Sequence, residues 1–428
     1  MKRTLLLSLF ILAGINYFVP EGLFPVMIAL IFFIAPLDDA AVYNASYSKI
    51  LPVILLVVIG IIGGIDDRNK DFYRDIFIFS KIIVYFLGGL LLGKYLNNFA
   101  SFFKYFYIIA FVSALNHILL IATHLGSIYS LDTIRFVAGY GNEIEGVIVG
   151  IIISAYFNKN LKNIIGDAGN KIMTTIIFLS FLVYFSRTLI VASVIIPIFL
   201  TGMINIRYLL SSKNVKILMV PIVMVIVFFL LSYVASLQSS GSPLERLVDK
   251  FEEAPQEVGW NAQKNATATK EEIQDHWRGY EAYQGLLKYF EGSRIQKLFG
   301  YGFNTRVDLG ITMKLAGEDY NEVPILHNEY VTLLVKCGVI GLLLYLTFLY
   351  RLGFQKIRYA DKDSEVYYCC QMLSALSILS LLNTYIGFGL LDPTNATSPL
   401  LLGFFYGNIQ RQRFTAPFIK LQALKFTT

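Results

Sequence analysis

The sequence predicts an all-α polytopic membrane protein: about twelve transmembrane helices with one large helical loop domain on the outer face. Three observations carry that reading. Of 428 residues, 56% are hydrophobic and 15% charged, against about 25% charged and 45–50% apolar in a water-soluble chain. The apolar residues, roughly 240, are gathered in runs, and at about 20 residues per crossing they set a ceiling near twelve spans. The charges gather elsewhere. Residues 237–325 hold 24 charged residues in 89, against 42 in the other 339.

The first element is Lys2-Arg3 followed by Leu5 to Val19. It imitates a secretory leader, but no small-x-small cleavage site follows, and the chain passes through Pro20-Glu21 into a second apolar stretch, so a retained first span is expected. Further runs lie near residues 22–37, 50–65, 76–93, 105–128, 143–157, 172–185, 188–203, 215–236, 326–350, 366–386 and 398–410. The stretch from Ile172 to Gly202 would be about 45 Å long as one helix, against a hydrocarbon core of about 30 Å. Lys159, Lys162 and Lys171 precede it and Arg207, Lys213 and Lys216 follow it. Positive residues mark cytoplasmic flanks, so the stretch must turn back, and Ser186-Arg187-Thr188 is its only charged point.

With that hairpin, short inner segments hold 19 Lys and Arg, and short outer loops hold five: Arg68, Lys70, Arg74, Arg135 and Arg187. The expected organisation is nine helices over residues 1–236, an outer domain over 237–325, and three helices with a cytoplasmic tail over 326–428. Both termini are then cytoplasmic. The basic inner face favours anionic membrane lipid. The net charge of +6 does not indicate nucleic acid, because the cations are scattered between apolar runs rather than clustered with exposed aromatics. Cys337, Cys369 and Cys370 lie in apolar segments and read as packing residues.

Within the outer domain, Ser242-Pro243 opens a helix with Leu244, Leu247, Val248 and Phe251 on one face. Thr269 and Glu272 form a capping box for a longer helix carrying Ile273, Trp277, Tyr280, Leu287 and Phe290. Asn265 to Thr269 reads as a flexible link. A Gly-rich turn, Phe299 to Phe303, then leads to Pro324 and the tenth span.

The sharpest polar constellation begins at His327-Asn328, with Gly338 and Gly341 following at fixed spacing. At about 100° per residue both glycines fall within about 40° of the His327 direction, which would set the imidazole above a groove open to a neighbouring helix or a lipid tail. A helix-start histidine over a glycine packing seam fits the same spacing. Lys336, on the opposite face, would snorkel or pair inside the bundle.

His-Asn-x9-Gly-x-x-Gly at the exit of a large outer loop resembles the signature of the O-antigen ligase/polymerase superfamily, bacterial glycosyltransferases that use polyprenyl-diphosphate-linked glycans. Ser186-Arg187 resembles the membrane-boundary arginine of that family. His276-Trp-Arg278 with Leu298-Phe-Gly-Tyr-Gly-Phe303 resembles its arginine-bearing loop helix and Gly-x-Gly segment. The resemblance spans about residues 140–410. It implies a transferase of the inner membrane whose active site faces the periplasm, with no cofactor, no metal and inversion at the transferred sugar. Its donor would be an undecaprenyl-diphosphate-linked glycan. The acceptor would be lipid A-core for a ligase, a growing glycan for a repeat-unit polymerase, or a protein for an O-oligosaccharyltransferase.

The chemistry gives these residue types a reason. Negative charge accumulates on the diphosphate as the sugar C1–O bond breaks, and arginine holds phosphate bidentately while always charged. A neutral histidine can take the acceptor hydroxyl proton. The expected catalytic set is His327, Arg187 and Arg278, with Asn328, Arg135, Tyr140, Gly338 and Gly341 contacting substrate. Arg278 also has Asp275 and Glu281 three residues away on either side, the spacing of a surface ion pair. His117 and His124 share a face about 10 Å apart, too far to share a metal, and read as buried hydrogen-bonding groups. Asp66-Asp67 could hold a divalent ion, but Arg68, Lys70, Asp71, Arg74 and Asp75 beside them suit a self-neutralising solvated loop. A transporter without chemistry is the reading of a different class; it would place ionisable groups near mid-membrane and show symmetry between halves, and neither stands out here.

Overall fold

The computed structural model describes residues 40–66, 68–95, 99–124, 143–165, 170–184, 186–202, 268–315, 318–354, 364–386, 389–392 and 395–425. The spans expected near 4–19, 22–37 and 215–236, the helix opened by Ser242-Pro243, and the link beginning at Asn265 lie outside them.

The described chain is almost wholly helical. In order it forms α1 (Ala40–Gly64), α2 (Lys70–Tyr95), α3 (Phe99–Thr123), α4 (Glu143–Phe157), α5 (Lys159–Ile165), α6 (Lys171–Val183) and α7 (Arg187–Leu200). After the undescribed stretch come α8 (Lys270–Asp275), α9 (Trp277–Glu291), α10 (Arg294–Phe299), strands β1 (Val307–Leu315) and β2 (Glu318–Val323), α11 (Glu329–Gly353), α12 (Glu365–Ile386) and α13 (Thr397–Lys425). Among the described residues four helical stretches are long and apolar enough to cross a membrane: Lys70–Lys94, Phe102–Thr123, Glu329–Gly353 and Glu365–Tyr385. Ser48–Gly64, Lys171–Val183 and Thr188–Leu200 are shorter apolar helices. This is a helical membrane protein. Nine of the expected runs coincide with helices, but the count of about twelve full spans does not emerge from the described residues.

The long apolar stretch breaks where its flanking charges predict, between Val183 and Arg187. Its halves pack principally on different neighbours. Helix α6, capped by Asn170 through Ile172 N at 3.0 Å, lies on α3 and α4, while α7 lies on α4 and α12. Cys337, Cys369 and Cys370 are free and buried, as packing residues should be.

The most extensive helix contact joins α2 to α13, and it rests on two small-residue pairs at the same spacing. Gly89 and Gly93 face the backbone of Leu400 and Phe404, and Gly403 and Gly407 face that of Phe86 and Leu90. A Cβ at any of the four would overlap backbone atoms of the other helix rather than the tip of a flexible side chain. In lipid no hydrophobic effect drives helices together, so close backbone approach supplies the dispersion that does. Gly403→Leu is therefore expected to destabilise the protein by about 1–3 kcal/mol or more. Thermal unfolding in detergent checks this, and an unchanged midpoint would mean the helices are not this close.

The segment before α11 departs from the all-helical expectation. Strands β1 and β2 pair antiparallel, Val307 with Val323 and Leu315 with Glu318. Val307, Leu309 and Met313 are buried, while Asp308 and Thr312 are exposed. The pairing register shifts between Asp308 and Met313, where Gly310 has φ of 67°. The alternation itself runs on through that bulge, with Val307, Leu309, Ile311 and Met313 apolar and Asp308, Gly310 and Thr312 between them exposed. The helix expected from Thr269 onward is also two helices. The Thr269–Glu272 capping box is present, but it caps only α8, and the chain resets at His276 before α9. The reset rotates the buried face: Tyr280, Glu281, Ala282, Gly285 and Tyr289 are buried, whereas Leu287 and Phe290 are exposed.

Candidate functional site

His327 stands immediately before α11, held from three sides. Asn328 caps the helix, its side-chain oxygen accepting from Tyr330 N at 3.1 Å and Val331 N at 3.3 Å. Thr332 Oγ1 accepts from Leu326 N at 3.1 Å and fixes the residue on the other side. The third hold comes from α9. Gly285 lets that helix approach Leu326 and Val331 closely, and one turn earlier Glu281 is brought to His327. One oxygen, Oε2, lies 2.6 Å from His327 Nδ1 and 3.2 Å from His327 N. The Glu281 side chain is 2% exposed and that of His327 43%.

Arg278 sits on α9 three residues before Glu281, half-buried. The sequence offers Arg278 an ion pair with Asp275 or Glu281; Glu281 Oε2 is turned to the histidine, and the side chain of Asp275 lies outside the described part. Sequence reasoning missed Glu281 because its partner lies 46 residues away. Its signal was a carboxylate on the buried side of a polar helix, visible only once the helix break at His276 is known. Tyr280 beside it donates to Leu309 O, and burial raises the phenol above its ordinary range, which keeps it a donor.

Gly338 does not do what a continuous helix would make it do. Its φ of 66° and ψ of −170° break α11. The carbonyls of Val335 and Lys336, which would otherwise take N–H groups one turn on, are taken by Tyr301 N at 2.8 Å and Gly302 N at 3.0 Å. Phe303 N donates to Gly60 O at 2.8 Å, so the Gly-rich turn is stitched between α1 and α11. A Cβ on Gly338 would meet Leu298 O and Gly300 N. The groove expected beneath His327 is thus filled by the protein's own loop at Gly338, and Gly341 faces Cys337 of its own helix. The wheel projection failed because it assumes unbroken helix between residues 327 and 341.

The same junction carries buried charge. Lys336 pairs with Asp75 and donates to Thr305 O at 3.1 Å. Asp75 also accepts from Asn304 N at 2.9 Å, and Asp71 binds Arg74 at 2.9 Å and the Arg306 guanidinium. Lys336 therefore pairs inside the bundle as expected. Asp71 and Asp75 do not belong to a solvated loop: they lie in the first turns of α2, 5% and 0% exposed. Asp66 is exposed in the turn before it, and Asp67 lies outside the described residues.

Below His327 lies a second buried polar group. Glu329 Oε2 accepts from Leu391 N at 3.2 Å, and Glu143 accepts from Asn383 (3.3 Å), Asn395 (3.1 Å) and Ser398 (2.8 Å). Lys81 donates to Asp392 O. These contacts fasten the chain between α12 and α13 at the same end of the bundle as His327.

The remaining expected residues divide. Arg187 opens α7, but its side chain lies outside the described part, as do Arg135 and Tyr140 entirely. Three residues before Arg187, Tyr184 stacks on His117 with centroids 3.6 Å apart, and His117 Nδ1 lies 2.8 Å from Ser180 Oγ. His117 is thus a buried hydrogen-bonding group, whereas His124 is exposed at the helix end, bound to Leu120 O. The structure brings His327 and Glu281 together across α9 and α11, with Asn328 next to the histidine and Arg278 three residues before the glutamate along α9.

Residues 172–346 match the family described as O-antigen ligase. The matched segment runs from the start of α6 into α11 and contains Arg187, Arg278, His327, Gly338 and Gly341, which supports the resemblance to the O-antigen ligase/polymerase superfamily. Members of that family transfer glycans. No curated protein matches the chain.

Proposed function

We propose that this chain transfers a glycan from undecaprenyl diphosphate to an acceptor on the periplasmic side of the bacterial inner membrane, with lipid A-core as the acceptor, the reaction of an O-antigen ligase. The observation that carries the reading is His327, exposed at the head of a membrane helix and fixed by Glu281, Asn328 and Thr332. A carboxylate only accepts, so Nδ1 carries the proton of that bond and Nε2 keeps its lone pair. His327 Nε2 takes the proton from an acceptor hydroxyl as its oxygen attacks C1. The C1–O bond to phosphate breaks with its electron pair leaving on undecaprenyl diphosphate, and direct displacement inverts the anomeric centre. Arg278, on the same helix as the residue that holds the base, neutralises the departing diphosphate, with Arg187 as the second cation.

Purified protein in proteoliposomes, given undecaprenyl-diphosphate-linked O-polysaccharide and lipid A-core, is expected to yield polysaccharide on lipid A-core and free undecaprenyl diphosphate. Longer polymer that stays on the carrier would make the chain a polymerase instead. No product with either acceptor would sink the transferase reading.

A further inference from the structure

Glu281 does more than fill a buried site. Its Oε2 takes two donors from one residue, the backbone N and the ring Nδ1 of His327, so it fixes both the chain direction and the ring plane of the same side chain. The carboxylate is buried, at 2% exposure, while the ring it holds is exposed at 43%, so the free Nε2 edge is the part left for a substrate. The supports beneath it are rigid: Gly285 seats α9 against Leu326 and Val331, and the Thr332 bond and Asn328 cap hold the backbone on either side of the histidine. A partner that holds the second ring nitrogen sets the tautomer and raises the basicity of the first.

We infer that Glu281 is a positioning residue for transfer: it holds His327 in the Nδ1–H tautomer, aims Nε2 at the acceptor hydroxyl, and stabilises the imidazolium formed when that proton arrives. This rests on the reading of His327 as the base. The step is balanced within the site. The acceptor O–H bond breaks and N–H forms at Nε2; the new C1–O bond forms as the old one breaks; the positive charge gained by the ring is matched by the Glu281 carboxylate and the electron pair leaves with the diphosphate. Other charged groups lie on the same two helices: Arg278, Lys288 and Glu291 on α9, and on α11 Glu329, bound to Leu391 N, Lys336, paired with Asp75, and Arg351 in the last turn.

Glu281→Gln and Glu281→Asp, reconstituted with undecaprenyl-diphosphate-linked O-polysaccharide and lipid A-core, test the assignment. The amide keeps the shape and can still accept from one N–H, but it loses the charge. Glu281→Gln should lower kcat by about 10- to 100-fold with KM for both substrates near wild type. Glu281→Asp, which restores the charge, should recover part of the rate. Rates normalised to folded protein separate this from any loss of stability in Glu281→Gln. If kcat is unchanged in Glu281→Gln while His327→Ala is inactive, or if Glu281→Asp recovers none of the rate, the positioning role is overturned. If His327→Ala is fully active, the base reading itself fails, and the two failures are distinct.

Discussion

Replacing His327 with alanine is expected to lower the rate of glycan transfer by about 10²- to 10⁴-fold, the usual contribution of a positioned general base, while the protein inserts and unfolds as the wild type does. The second half follows from the geometry. The side chain is 43% exposed, and the start of α11 is held by Asn328 and Thr332, neither of which the substitution touches. Alanine retains the backbone N–H, so Glu281 keeps one of its two donors. Single-turnover transfer in proteoliposomes reads the effect, with donor binding measured separately. A rate within about threefold of wild type would remove the histidine from the chemistry.

The largest stability effect is expected at Asp75. Its carboxylate and the Lys336 ammonium are 0% and 2% exposed and answer one another directly. Removing one partner from such a pair costs about 3–5 kcal/mol, because the other charge stays buried without compensation. Asp75→Ala and Lys336→Met should each reach that range in denaturant unfolding. The double substitution should cost less than either alone. The pair also anchors the loop, since Asp75 accepts from Asn304 N and Lys336 donates to Thr305 O. Limited proteolysis around residues 294–306 should accelerate in each single variant. Single and double variants of equal stability would mean the two charges do not depend on one another.

Much of this arrangement was legible from local signals. The break at residues 184–186 follows from charges at both ends of an overlong apolar stretch, and His327-Asn328 reads as a helix start because Asn is a capping residue. What was not legible depends on partners distant in sequence or on a broken period. Asp71 and Asp75 look like members of a solvated cluster because Arg68, Lys70 and Arg74 surround them; their partners Arg306 and Lys336 are 235 and 261 residues away. Gly338 satisfies a helical spacing arithmetically, yet the turn it makes ends the helix whose period was being counted. The pairing of β1 with β2 escaped notice although Val307, Leu309, Ile311, Met313 and Leu315 alternate with polar residues and Gly310, because its second strand, Glu318–Val323, carries three carboxylates in six residues and shows no apolar face of its own. Glu281 escaped because the helix carrying it starts at Trp277 rather than at Lys270, where the capping box suggests.

The break at Gly338 also bears on how the chain reaches its membrane form. A helix entering a bilayer has normally settled every backbone group within itself, since each unsatisfied one costs several kcal/mol in hydrocarbon. Helix α11 has not: the carbonyls of Val335 and Lys336 are answered by Tyr301 and Gly302, residues that the ribosome delivers before α11 itself. The Gly-rich turn therefore behaves as an internal chaperone for the helix that follows it, and the backbone of α11 is complete only once that earlier segment has folded against it.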